Sequence, residues 1–329
     1  MGDIQLDDDS TDALLRARWN GQEWRFGIEV RARSTPKTMA EATRAIQAAS
    51  LPPRTYPLLV VPYLNEEELN DLVAKNVSAV DLSGNGVLVV PGQLLVLRTG
   101  KPNRYPEKSA LKNVYRGKSS VAARVFLLRP RYQAVNEIRD EILSRGVELA
   151  ISTVSKVLAR LEEDLIVSRG PGEIRLVQAR KLLEVLAQNY EAPKIAKRLS
   201  GKTTLDIADF ATSVSVARKR PGFRIVPTGL SSLSAYAVMA RQGPTSFYCT
   251  DIQAFQKDSA LAPILEETER FANVQLEETR DDIVCFDIRR DSGALRASPI
   301  QTYLELMSGD KRDRETAAQV AEGIRREVA

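Results

Sequence analysis

The chain has 329 residues, of which 43% are hydrophobic and 27% are charged, and its net charge is +4. This length exceeds one ordinary hydrophobic core, so we expect an α/β protein with more than one domain. The complete absence of histidine excludes Ser-His-Asp and Cys-His catalysis and every His-ligated metal site. The two cysteines, Cys249 and Cys285, are far apart, which argues against a disulfide framework and a zinc site. The longest apolar runs are strand-sized, so we expect a cytoplasmic protein that does not enter a membrane.

The positive charge is concentrated in the middle of the chain. Residues 111–226 contain 22 Lys and Arg residues against 12 Asp and Glu residues, a net charge of +10. Residues 1–110 have a net charge of −1, and residues 227–329 have a net charge of −5. Attraction to a polyanion acts within about a Debye length, roughly 8–10 Å. The distribution therefore predicts that the middle segment binds a polyanion.

Strand and helix patterns alternate through the first hundred residues, which predicts an α/β domain over residues 1–108. Two strands flank the turn signal Asn20-Gly21, and a helical spacing and a buried strand follow. The predicted elements are strands Ala13–Trp19, Glu23–Arg33, Tyr56–Pro62, Val77–Asp81, Val87–Val90 and Gln93–Leu97, and helices Pro36–Ala49 and Asn65–Ala74. Residues 100–118, with two prolines and many cations, read as a basic linker.

The order of acidic residues in this domain resembles the core of PD-(D/E)XK restriction-endonuclease-like proteins. Asp12 precedes the hairpin, and Glu29-Val30-Arg31 follows it, so the resemblance implies Asp12 and Glu29 as candidate catalytic residues and Mg²⁺ ligands. Arg31 replaces the activating lysine. Because arginine stays protonated, it cannot act as a tunable base, and we expect no magnesium cofactor unless the site is active. A salt-bridged pair of strands is the alternative interpretation.

The middle segment, residues 115–180, predicts a winged helix-turn-helix. Apolar residues recur at helical spacing in three stretches, 119–128, 134–145 and 152–164. Two short strands, 165–168 and 174–177, then flank Gly170-Pro171-Gly172, as in a hairpin. A helical core that serves only protein contacts is the alternative.

The third helix presents small, hydroxylic and cationic residues opposite its apolar side. Such a face suits the major groove of DNA, which is about 12 Å wide. We predict groove contacts from Ser152, Thr153, Ser155, Lys156 and Arg160, wing contacts from Arg169 and Arg175, and backbone contacts from Arg116 and Lys118.

Four stretches together resemble a bacterial and archaeal family of transcriptional regulators related to the AbiEi antitoxins of type IV toxin–antitoxin systems. They are PLLVVPY at Pro57–Tyr63, VDLSGNG at Val80–Gly86, STVSKVL at Ser152–Leu158 and ASPIQTYL at Ala297–Leu304. The resemblance implies a winged helix that represses its own promoter and a nucleotidyltransferase-like α/β domain over residues 190–329. Transferase activity is not expected, because residues 227–329 contain no Asp-x-Asp pair: Asp251 stands alone, and Asp281 and Asp282 are adjacent.

These observations favour a sequence-specific regulator that binds double-stranded DNA, an antitoxin-like autorepressor rather than an enzyme. We expect a homodimer, because paired half-sites suit a helix-turn-helix protein, and a toxin or other protein partner. Two alternatives remain: a magnesium-dependent DNA endonuclease targeted by the winged helix, and a protein-interaction scaffold.

Overall fold

The computed structural model describes residues 3–5, 12–19, 21–105, 113–217, 223–238, 243–291 and 294–328. Asn20 of the predicted hairpin turn and residues 106–112 of the predicted linker lie outside this description. The protein is a mixed α/β protein with several sheets and two compact units. One unit comprises residues 1–110 with Glu163–Leu165, and the other comprises residues 111–162 and 166–329.

The first unit contains a seven-stranded sheet whose strands lie in chain order. Strands β3, β4 and β5 are parallel, and the outer pairs are antiparallel. Its elements are β1 Asp3–Gln5, β2 Ala13–Trp19, β3 Gln22–Val30, α1 Pro36–Ala48, β4 Thr55–Val61, α2 Glu66–Ala74, β5 Ser78–Asp81, β6 Gly86–Val90 and β7 Leu94–Arg98. The structure confirms the strands and helices that the sequence predicts here, within a few residues at their ends, and adds β1.

Both faces of this sheet are apolar, as the near-continuous hydrophobic run of β4 predicts. Leu59 packs with Ala42 of α1 and Leu69 of α2, whereas its neighbour Leu58 packs with Phe26 in a second cluster. Successive strand residues point to opposite faces, so one strand supplies both clusters.

Local signals fix where the two helices begin. The Thr35 side chain accepts a hydrogen bond from the Thr38 backbone, with Pro36 in the first turn of α1. Asn65 and Glu68 form a reciprocal capping box at the start of α2, which satisfies two backbone donors that have no partner within the helix.

The second unit opens with helices and a small three-stranded sheet. Helix α3, Val121–Arg124, lies between 3-10 turns at Gly117–Ser120 and Val125–Leu127. The next elements are β8 Arg131–Tyr132, α4 Val135–Ser144, α5 Ile151–Glu163, β9 Val167–Gly170, β10 Glu173–Leu176 and α6 Ala179–Gln188. The sheet has the order β8-β10-β9 and is antiparallel. The first helix of the predicted set is therefore interrupted by 3-10 geometry, and the other two are confirmed.

A five-stranded sheet with the order β12-β13-β15-β11-β14 follows, together with a two-stranded ribbon. Strands β13 and β15 are parallel, and the other pairs are antiparallel. The elements are β11 Lys197–Lys202, α7 Ile207–Ala217, β12 Ile225–Pro227, β13 Thr245–Cys249, α8 Ile252–Lys257, β14 Glu266–Glu267, β15 Val274–Glu278, β16 Arg289–Asp291, β17 Ala294–Arg296, α9 Pro299–Met307 and α10 Lys311–Val328.

The segments 115–180 and 190–329, which the sequence divides into two domains, share one hydrophobic core in this unit. Leu158 of α5, Leu183 of α6 and Leu304 of α9 belong to the same buried cluster. A buried polar contact accompanies it: Arg124 donates to the side-chain oxygen of Gln301 over 2.9 Å. The middle segment therefore packs against the C-terminal segment instead of standing apart from it.

Every helix in the described part of the chain is too short or too polar to cross a membrane.

Candidate nucleic-acid interface

Helix α5 buries one side and exposes the other, as its sequence predicts. Val154, Val157 and Leu161, at spacings of three and four residues, are fully buried. The opposite side is exposed and carries the predicted groove residues Ser152, Ser155, Lys156 and Arg160 together with Ala159. Thr153 is half-buried. The side chains of this outer face are thus short ones, except for its two cations.

The turn between α4 and α5 is held firmly, which fixes the direction of α5. Gly146 has a φ of +95°, the left-handed conformation that ends many helices. Arg145 pairs with Glu141 over 2.6 Å and with the buried Asp287, so the end of α4 is tied to the C-terminal segment. Val147 is buried beside them.

The hairpin of β9 and β10 is closed by Pro171 and Gly172. Gly170 pairs with Glu173, and Gly172 has a φ of +69°, which suits the third position of a type II turn after proline. Strand β9 begins at Val167, two residues later than the sequence predicts, because the positive φ of Leu165 interrupts extended backbone there.

Two arginines predicted to contact DNA are exposed on this hairpin. Arg169 lies 3.7 Å from Glu162 of α5, an exposed ion pair of small energetic value. Arg175 makes no ion pair within the residues that the structure describes.

Arg131 is a third arginine on this sheet, and the sequence reasoning missed it. It lies on β8, directly opposite Arg175 in the antiparallel register. Directly opposite residues on antiparallel strands project from the same face, and like charges in that position repel. Both arginines are exposed. The only sequence signal was a two-residue extended stretch after Pro130, too short to be distinguished from a loop.

We use the term "α5–hairpin surface" for the exposed residues Ser152, Ser155, Lys156, Ala159, Arg160, Arg131, Arg169 and Arg175. Lys156, Arg131 and Arg175 have no ion-pair partner in the described ranges of the chain.

The two cations predicted to contact the DNA backbone are engaged elsewhere. Arg116 forms an ion pair with Glu191, and Lys118 pairs with Asp282 over 2.6 Å. Their charge is compensated within the second unit, so the candidate interface does not include them.

The nuclease-like residues of the first unit also form local contacts. The Asp12 carboxylate accepts a hydrogen bond of 2.7 Å from the Val30 backbone, and the Glu29 carboxylate pairs with the Arg31 guanidinium. Arg31 also donates to the Val30 carbonyl oxygen over 3.0 Å. Across the described ranges, no group of three or more Asp, Glu, Cys or His side chains is placed to hold a metal ion. As arranged, with a guanidinium on Glu29, these side chains do not fit a magnesium centre.

Residues 227–232, with the sequence PTGLSS, contact a buried carboxyl group. Glu305 accepts hydrogen bonds from the Leu230 backbone over 2.8 Å and from the Tyr248 hydroxyl over 3.1 Å. Burial raises the pKa of Glu305 above its usual value. Two acidic residues near this sheet cap short helices: Asp251 accepts a hydrogen bond from the Ala254 backbone, and Asp281 accepts one from the Ile283 backbone.

No family model, curated protein or solved structure matches this chain.

Proposed function

We propose that the second unit binds double-stranded DNA as a winged helix-turn-helix, with α5 in the major groove and the β9–β10 hairpin along the backbone. The order of helix, short strand, two helices and hairpin, with a three-stranded sheet, is typical of that domain. The small residues on the outer side of α5 allow the helix to approach base edges closely.

The observation that carries this proposal is the presence of exposed cations without counter-charges. Lys156 on α5 and the facing pair Arg131 and Arg175 make no ion pair in the described part of the chain. Placing two arginines opposite each other costs stability in the free protein. Phosphate groups would remove that repulsion, and each neutralised phosphate would release counterions.

The biological role that this binding supports is regulation of a promoter, with autorepression as in antitoxins and a toxin or other protein as partner. A homodimer would place two copies of α5 on half-sites about 34 Å apart, one turn of duplex. Sequence specificity would come from Ser152, Ser155, Lys156 and Arg160, whereas the hairpin arginines would set the position on the backbone.

The test is a titration of the duplex fragment that the purified protein selects from genomic DNA. Lys156→Ala with Arg160→Ala should weaken binding at least tenfold at physiological salt, since each such contact contributes roughly 1–3 kcal/mol. The matched control, Lys194→Ala with Lys197→Ala, removes the same charge from two exposed residues outside the α5–hairpin surface.

The control variant should bind within about twofold of the parent, since it removes no phosphate contact. If both double variants lost the same DNA affinity, the effect would be one of net charge alone. Unchanged binding by the Lys156 and Arg160 variant would show that α5 is not part of the interface.

A further inference from the structure

A cavity of about 240 Å³ lies inside the second unit, at the carboxyl ends of the parallel strands β13 and β15. Cys249 and Thr250, at the end of β13, form one side, and Thr279 to Asp282, after β15, form another. Ligands in open α/β sheets bind outside the carboxyl ends of parallel strands, because the loops there diverge and leave a crevice.

The opposite wall of this cavity is the turn that leads into α5. Gly146 and Glu148 line the cavity. The Arg224 guanidinium donates to the Gly146 carbonyl oxygen over 3.3 Å. A Cβ atom at Gly146 would lie 3.1 Å from the carbonyl oxygen of Cys285, so the turn and the cavity wall are in close contact. A molecule in the cavity would therefore touch the residues that set the position of α5.

The floor of the cavity is apolar. Val226, Val284 and Cys285 are buried and line it together with Cys249. Burial raises the pKa of the Cys249 thiol to about 12, so this thiol is protonated and uncharged at neutral pH.

The rim carries charges of both signs. Arg224 and Arg280 are cationic, whereas Glu148 and Asp281 are anionic, and Lys118 and Asp282 at the edge already form an ion pair. Arg280 and Glu148 are exposed, and neither forms an ion pair within the part of the chain that the structure describes. A carboxylate and an ammonium group on one ligand would each find a partner here.

The size of the cavity limits the ligand. Its volume of about 240 Å³ is less than the roughly 300–1,000 Å³ of a pocket for a drug-sized molecule, which favours a small ligand.

We propose that this cavity binds a free α-amino acid with an apolar side chain, and that its occupancy changes the DNA affinity of α5. The side chain lies on the apolar floor, the carboxylate contacts Arg280 and Arg224, and the ammonium group contacts Glu148 and Asp281. The second half of this proposal rests on the proposed DNA binding, whereas the first half does not.

The first experiment measures binding of L-leucine to the full chain by calorimetry, with L-valine, L-isoleucine and L-methionine as further probes. Two leucine analogues are matched controls: 4-methylpentanoate lacks the ammonium group, and 3-methylbutylamine lacks the carboxylate. We expect at least one amino acid to bind with a Kd of about 1 mM or tighter, and each analogue to bind at least tenfold more weakly than leucine.

Two variants at exposed positions keep this test independent of folding. Arg280→Gln and Glu148→Gln should each weaken amino-acid binding about tenfold, since each removes one charged partner. Arg270→Gln, an exposed arginine outside the cavity lining, should leave it unchanged. No binding by any of the four amino acids, or an analogue that equals leucine, would overturn the site.

The second experiment repeats the DNA titration with and without the amino acid that binds. A shift of about fivefold or more in DNA affinity, absent in Arg280→Gln, supports the coupling. An unchanged DNA affinity overturns the coupling while leaving the binding site in place. A chain that binds leucine but no DNA would contradict the proposed function and not the cavity.

Discussion

The α5–hairpin surface of the second unit and the carboxyl end of β3 in the first unit both contain short charged motifs. They differ in whether those charges already have partners within the chain. Lys156 and Arg175 are exposed and make no ion pair in the described part of the chain. At β3, Glu29 and Arg31 pair with each other, and the Asp12 carboxylate is bonded to the Val30 backbone. Of these two regions, the α5–hairpin surface is the one with exposed charge that an external partner can contact.

The difference follows from where the opposite charges fall along each element. Glu29 lies near the end of β3 and Arg31 directly follows the strand, so the two side chains are close and neutralise each other. On a helix, residues four apart share a face, and Lys156 and Arg160 have the same sign. An acidic residue such as Glu162 comes only at the last turn of α5.

The largest effect should come from removing four exposed cations of the α5–hairpin surface together. Changing Lys156, Arg160, Arg131 and Arg175 to alanine should weaken DNA binding by a factor on the order of 10³. The salt slope should be smaller by about 2, because Arg131 and Arg175 are the phosphate contacts among the four. Fluorescence anisotropy at several salt concentrations measures both quantities. An equal charge reduction at Lys194, Lys197, Lys202 and Arg270 is the control, and a salt slope equal to that of the parent in the first variant would contradict the interface.

Arg131→Ala alone should have a smaller effect on DNA binding, and it should weaken binding while stabilising the fold. DNA binding should weaken about fivefold, because one phosphate contact is lost. Thermal or denaturant unfolding should show an unfolding free energy higher by roughly 0.2–1 kcal/mol, because the repulsion from Arg175 is relieved. If Arg131 instead stabilised the fold, its replacement would lower both the DNA affinity and the free energy of unfolding.

How far the sequence predicts these regions depends on whether the determining contacts are local. The bounds of α2 follow from the capping residues Asn65 and Glu68, and the buried side of α5 follows from Val154, Val157 and Leu161, all within one element. The pairing of Lys118 with Asp282 joins residues 164 positions apart. No local pattern encodes such a contact.

The absence of a local pattern for contacts between distant residues also explains why the sequence does not predict the shared core of the second unit or the role of Arg131. Leu183 of α6 and Leu304 of α9 belong to one hydrophobic core, although no change of composition along the chain signals that these segments pack together. Arg131 becomes part of the candidate interface only because β8 pairs with β10. A two-residue strand has no periodicity from which its partner could be predicted.

Glu162→Gln should strengthen DNA binding modestly. Glu162 lies 3.7 Å from Arg169, so its removal releases that guanidinium and takes one negative charge away from the α5–hairpin surface. Because exposed ion pairs contribute about 0–1 kcal/mol, we expect a gain of about two- to threefold in affinity. The same anisotropy titration measures it, with Glu184→Gln on α6 as control, and a weaker affinity would show that Glu162 supports the interface.

The smallest effect should come from the end of β3. The nuclease alternative requires Glu29 to hold a divalent ion, yet its carboxylate already has a guanidinium partner in Arg31. The protein should therefore leave supercoiled plasmid intact in Mg²⁺ or Mn²⁺, and Asp12→Asn and Glu29→Gln should leave both plasmid and DNA affinity unchanged. Arg31→Lys is a complementary test of nuclease activity, because it introduces the lysine that the nuclease pattern requires. Nicking by the parent that disappears in Glu29→Gln would show that the Glu29–Arg31 pair opens to admit the metal ion. In that case both regions would offer charge to an external partner, and the contrast between them would fail.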